Sequence, residues 1–190
     1  MGGVTQEKLL YLSVTKGRMV NKKANIDFGG YEGTFLGIRE KVGQYEGKPQ
    51  YRIELKMKDS ASAEVVIIQF TKRGFAALGL MSSIRKLDLN KKFTVKVWGS
   101  EDNEKISFCG LQQDGYQYLE KRKTIDPDKS FPRPLPVMIN NEKQYDWALV
   151  LPEMDAVIKH INETRSPATN TAAPSANDAM VPTPEEDLPF

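Results

Sequence analysis

The chain has one cysteine, Cys109, and one histidine, His160. A thiol nucleophile needs a base beside it, and these two fall in different predicted elements, a strand and a helix face. One cysteine permits no intrachain disulfide, and a zinc site built from Cys and His ligands is excluded. Cys109 therefore reads as a small hydrophobe in a strand and His160 as a solvated helix residue. Asp126 and Asp128 read as a turn before "KSFP", and Glu101, Asp102 and Glu104 as a wet hairpin loop. "GGYEG" (29–33) has no Gly-Lys-Thr/Ser and is not a phosphate cradle. The expectation is a protein that is not an enzyme, with no catalytic residues, no metal and no cofactor.

Aromatic and basic residues sharing strand faces offer more. Alternation puts Thr34, Leu36 and Ile38 on one face and Phe35, Arg39 and Lys41 on the other. Arg52, Lys56 and Lys58 share the outer face of the next strand, with Tyr45 in the connecting loop and Tyr51 at the strand start. Further along, Phe93, Val95 and Val97 look inward, leaving Thr94, Lys96 and Trp98 outward. An exposed ring beside a cation suits unpaired nucleic acid. The ring stacks on a base, worth about 1–3 kcal/mol, and the cation takes the phosphate. The expected DNA-binding set is thus Phe35, Arg39, Lys41, Tyr45, Tyr51, Arg52, Lys56, Lys58, Lys96 and Trp98.

The elements that must position these residues are mostly strands. "LLYLSV" (9–14) comes first, then a turn at Lys16-Gly17 and a short strand at Met19-Val20. Gly33–Val42 and Tyr51–Lys58 alternate around the turn "YEGKP", and Glu64–Phe70 is apolar on both faces, as in a central strand. Ala77, Leu80, Met81, Ile84 and Leu87 then recur at helical spacing, with Thr71 as the expected N-cap; Gly74 and Gly79 weaken this helix. Strands resume at Lys92–Gly99 and Lys105–Leu111. A last helix begins at Pro152, with Met154, Val157, Ile158 and Ile161 in one apolar stripe. Several strands, a helix, two strands and a late helix predict a mainly β chain: a small antiparallel barrel of the OB-fold type with one inserted helix, an additional C-terminal helix and a disordered tail.

The domain reading is a nucleic-acid-binding body over 1–163, a flexible Ala/Pro/Thr/Ser/Asn linker over 164–184 and an acidic tip over 185–190. From Thr164 onward Arg165 stands alone against Asp178, Glu185, Glu186 and Asp187, so the body is the basic part. The final "EEDLPF" is an acidic run, an aliphatic residue and a terminal Pro-Phe. In this ending, and in its layout of barrel, tether and acidic tip, the chain resembles the bacterial single-stranded-DNA-binding protein family. The stretch Gln112–Glu163 departs from the compact bacterial pattern, and a divergent form from a bacteriophage or mobile element fits. The resemblance implies single-stranded DNA as one partner. It implies replication, recombination and repair proteins as others, held by Glu185, Glu186, Asp187, Leu188, Pro189 and Phe190. No run long enough for a membrane span and no secretory signal is visible, so the expected home is the cytoplasm of a bacterium or infected bacterial host. An RNA-binding OB module and a protein-interaction adaptor without nucleic-acid binding are the alternatives.

Overall fold

The structure is a computed structural model, and it describes residues 9–21, 23–62, 64–113 and 128–165. It is mainly β. Strands β1 (Leu9–Thr15), β2 (Arg18–Asn21), β3 (Ile26–Phe28), β4 (Gly30–Tyr45), β5 (Lys48–Asp59), β6 (Val65–Thr71), β7 (Phe93–Gly99) and β8 (Ser107–Gln112) form one sheet. Helix α1 (Phe75–Ile84) lies between β6 and β7. A separate hairpin, β9 (Leu135–Ile139) with β10 (Glu142–Asp146), precedes helix α2 (Val150–Arg165).

The eight-stranded sheet runs β3-β2-β1-β6-β5-β4-β7-β8 and curls strongly into a half-barrel. Its pairings are antiparallel with one exception, β1 along β6, where Leu9 opposes Val65 and Ser13 opposes Gln69. That parallel pair corrects the all-antiparallel expectation. The meander β4-β5-β6 leaves the far edge of β6 open, and the hairpin β1-β2 fills it. Its turn then lies against the end of β7: a Cβ at Gly17 would stand 2.1 Å from the Gly99 nitrogen, so only glycine fits. Gly17 also has φ +73°, and the Lys16-Gly17, Glu46-Gly47 and Asn140-Asn141 turns all have positive φ at both residues. Two-residue turns of this kind match the strands' right-handed twist and join hairpins directly.

The inner face of the sheet holds the core. Leu12, Ile53, Leu55, Met57, Ile68, Phe70, Val95 and Leu111 are fully buried. Helix α1 packs Ala77, Leu80 and Met81 into it. Gly79 is no weakness there: a Cβ would stand 2.1 Å from the Cys109 carbonyl oxygen, so its absence lets α1 lie directly on β8. Two helix boundaries differ from expectation. Thr71 is the last residue of β6, and the N-cap is the extended Gly74, with no side-chain cap. Helix α2 starts two residues before Pro152 and continues to Arg165, past the expected boundary at 163/164.

The α2 stripe is as expected: Met154, Val157, Ile158 and Ile161 are buried, each worth about 1.5–3 kcal/mol. The buried Lys72 fixes the helix to the sheet, donating to Glu40 of β4 at 2.9 Å and to Asp155 of α2 at 2.5 Å. Burial alone would push its ammonium down, but the two carboxylates outweigh it and hold the pKa above the ordinary value. Among the described residues no helix is long and apolar enough to cross a membrane.

Candidate nucleic-acid interface

Strand β4 decides which side chains reach the outer face. Its ladder with β5 shifts between Phe35 and Gly37, leaving Leu36 as an extra residue in a β-bulge. Because side chains alternate with period two, one extra residue exchanges the faces. Before the bulge Tyr31, Gly33 and Phe35 point inward; after it Ile38 does, and Gly37, Arg39 and Lys41 point outward. This corrects the sequence reading. Phe35 is a core residue, 7% exposed, with the Arg165 guanidinium 5.0 Å over its ring, while Leu36 is 46% exposed.

The outer face of β1, β6, β5 and β4 is consequently a basic surface. One cross-strand row runs Ser13, Gln69, Glu54, Arg39. The next runs Tyr11, Ile67, Lys56, Gly37. Arg52 and Lys41 oppose each other on one side of these rows, and Lys58 lies on the other. Between the rows is a groove of about 360 Å³, bordered by Tyr11, Arg39, Lys56 and Ile67. Gly37 opens its floor, since a Cβ there would have no neighbour within 4 Å.

Glu54 organises the first row. It is 2% exposed, yet it sits on the charged side of β5. Arg39 donates to it through Nε at 2.9 Å and Nη2 at 2.7 Å, and Gln69 through Nε2 at 2.8 Å. Lys41 Nζ stands 3.2 Å from its other oxygen. Burial would raise the Glu54 carboxyl, but the bonds from Gln69, Arg39 and Lys41 outweigh burial and hold it below the ordinary glutamate range. Gln69 in turn accepts from Arg52 at 3.3 Å and from Ser13 at 3.4 Å. Four strands are thereby linked through one carboxylate.

Five basic side chains surround that single acid. Arg39 and Lys41 are held by it, whereas Arg52, Lys56 and Lys58 make no ion pair among the described residues. The sequence reading missed one participant, Tyr11. It is 38% exposed in the second row, and Lys41 Nζ lies 5.8 Å from its ring centre. Strict alternation in "LLYLSV" already separates Leu9, Tyr11 and Ser13 from Leu10, Leu12 and Val14. What the sequence withholds is that β1 pairs with β6.

The other expected residues are placed differently. Tyr45 stands at the tip of the β4-β5 hairpin, 62% exposed, on the same face as Arg39 and Lys41. Tyr51 is also exposed but alternates with Ile53 and Leu55, so it belongs to the opposite face beyond the core. Lys96 and Trp98 do point outward from β7, but Lys96 opposes Gly30, far along β4 from Arg39. Trp98 is half-buried and stacks on Phe108, centroids 6.2 Å apart. The structure therefore gathers Arg39, Lys41, Tyr45, Arg52, Lys56 and Lys58 and leaves Phe35, Tyr51, Lys96 and Trp98 elsewhere. The tip, 185–190, lies outside the described residues.

Nothing comparable is built around the residues with catalytic potential. Cys109 is buried, and burial pushes its thiol well above the ordinary range; His160 is exposed on α2. Among the described residues no group of three or more His, Cys, Asp or Glu side chains could hold a metal ion. No protein-family model, curated protein or solved structure matches the chain.

Proposed function

We propose that this chain is a non-catalytic, sequence-tolerant single-stranded-DNA-binding protein. In this reading the outer face of β1-β6-β5-β4 holds the strand, and the tip 185–190 recruits replication, recombination and repair proteins. The carrying observation is the juxtaposition of an accessible ring, Tyr11, with cations that have no carboxylate partner among the described residues, Lys56, Lys58 and Arg52. A base stacked on Tyr11 over Ile67 finds a cation within one row in each direction, which suits a strand whose phosphates repeat along the path. Binding through phosphates makes affinity salt-dependent and indifferent to sequence.

The chain order supports the finer fold reading as well. The meander β4-β5-β6, the helix α1, and β7-β8 with β7 returning to β4 follow the strand order of an OB-fold. In that fold the second and third strands and the loop joining the first two bind oligonucleotides. Here those parts are β5, β6 and the Tyr45 turn. The hairpin β1-β2 is an addition that widens the face and supplies Tyr11.

Fluorescence anisotropy of a labelled oligo-dT, at two salt concentrations, tests the reading with the parent chain and Lys56→Glu/Lys58→Glu. The parent is expected to bind and weaken as salt rises, and the variant to bind at least about tenfold more weakly. Equal affinity in both chains, or no binding by the parent at low salt, contradicts the proposal and leaves the adaptor reading. Oligo-U in the same titration separates DNA from RNA preference.

A further inference from the structure

Resting on the single-strand reading, we infer that the β9-β10 extension builds a second base-stacking subsite at the end of the outer face, lined by Phe75, Tyr145 and Trp147. A groove of about 430 Å³ lies where the end of β6, the start of α1 and the β7-β8 loop meet the residues after β9. Three rings border it. Phe75 meets Tyr145 edge-on at 4.9 Å between centroids and Trp147 at 5.6 Å, 60° between planes. Each ring also borders the groove, so the cluster presents aromatic surface to whatever enters it.

The chemistry of the occupant follows from the charges. Arg73 and Lys105 border the same groove; both are exposed, and neither makes an ion pair among the described residues. Among the described residues no carboxylate lines it. Rings flanked by unpaired cations suit a nucleotide, with its base against the aromatics and its phosphate between Arg73 and Lys105. An apolar peptide would leave both cations unused.

Position ties this groove to the outer face. Thr71, which borders it, is the residue opposite Arg52 across the β5-β6 ladder, and Thr15, at the end of β1, borders it too. From Ile67, opposite Lys56, to Thr71 is four strand residues, roughly 13 Å. One strand laid along β6 can therefore pass from Tyr11 by Arg52 to Arg73 and end on Trp147.

The chain has two tryptophans, so the Trp98→Phe variant leaves Trp147 as the sole indole reporter. The full chain carrying that substitution is titrated with oligo-dT of about 12 nucleotides. Anisotropy of a labelled strand is read in parallel. A second chain adds Arg73→Glu/Lys105→Glu, two exposed positions whose change leaves the core untouched. The expected result is quenching of Trp147 on binding, with affinity about tenfold weaker in the charge-reversed chain. Binding with unchanged Trp147 emission and equal affinity in the two chains overturns the subsite while leaving the outer face standing. An absence of anisotropy change in every chain, including the parent, removes the single-strand reading itself and the subsite with it.

Discussion

Two stretches of the same sheet carry an aromatic beside a lysine on the outer face, and the fold treats them oppositely. On β1, Tyr11 is exposed in a row with Ile67 and Lys56 and has Lys41 near its ring. On β7, Trp98 is half-buried, stacked on Phe108, which in turn meets Phe75 at 5.9 Å. The local patterns differ: on β7 Lys96 alternates with Trp98 within one strand, whereas β1 has no lysine and Tyr11 receives its cations, Lys41 and Lys56, from β4 and β5. Neighbouring strands make the difference: β6 and β5 flank Tyr11 with Ile67 and Lys56, neither of them aromatic, whereas β8 presents the Phe108 ring to Trp98. A site for a base needs a ring that still borders an open groove, as Tyr11 does.

The largest effect expected concerns the bulge that sets the faces. Phe35→Ala should cost about 3–5 kcal/mol of stability, and Leu36→Ala no more than about 0.5 kcal/mol, in denaturant unfolding. Comparable costs at both positions would mean that the faces are not exchanged there. Next comes Lys56→Glu/Lys58→Glu. Beyond the loss of affinity, the slope of log K against log salt should fall by about 1.4, the share of two single-strand phosphate contacts. An unchanged slope would place the phosphates on other cations.

Tyr11→Ala should weaken oligo-dT by about 1–3 kcal/mol while leaving the melting temperature within a few degrees of the parent. Trp98→Ala should do the reverse, reducing stability with affinity within about twofold of the parent. These paired substitutions sharpen the comparison most cleanly, since exchange of the two outcomes would reverse the assignment of the rings.

The smallest effect is on pH dependence. The Glu54 carboxyl is held below its ordinary value in the folded chain, and Asp59 is held at about 2, first by the Tyr31 hydroxyl, which donates at 2.5 Å. Groups depressed on folding contribute stability that is fully present above their unfolded values, near pH 4, and is lost as pH falls through the folded values. Glu54→Gln should lower stability by about 1–3 kcal/mol at pH 7 and flatten the acid loss below pH 4 in thermal melts. An equally steep acid loss in the variant would show that Arg39, Lys41 and Gln69 do not act through this carboxylate.

How far the sequence carries can be traced through single residues. Strand alternation in β5 is legible because Ile53, Leu55 and Met57 repeat with period two and nothing interrupts the ladder with β6. The α2 stripe is legible for the same reason at helical period. Phe35 is misplaced because a bulge is a pairing event between two strands, and nothing in "GTFLGIREKV" distinguishes Leu36 as the extra residue. Gly79 looks like a defect in its own helix and proves to be a contact with a distant strand. The β9-β10 hairpin had a local signal, Asn140-Asn141, residues that tolerate positive φ, between "LPVMI" and "EKQYD". Tyr11 entered the site only through the parallel pairing of β1 with β6, which local pattern does not encode.

The central claim, that unpaired DNA lies on the outer face of β1-β6-β5-β4, is met most directly by ultraviolet cross-linking of the full chain to oligo-dT, with adducts located by mass spectrometry of tryptic peptides. An adduct on Tyr11, in the peptide from Leu9 to Lys16, that disappears in Lys56→Glu/Lys58→Glu is the predicted result. Adducts confined to the Trp98 peptide, with Tyr11 unmodified, would contradict it.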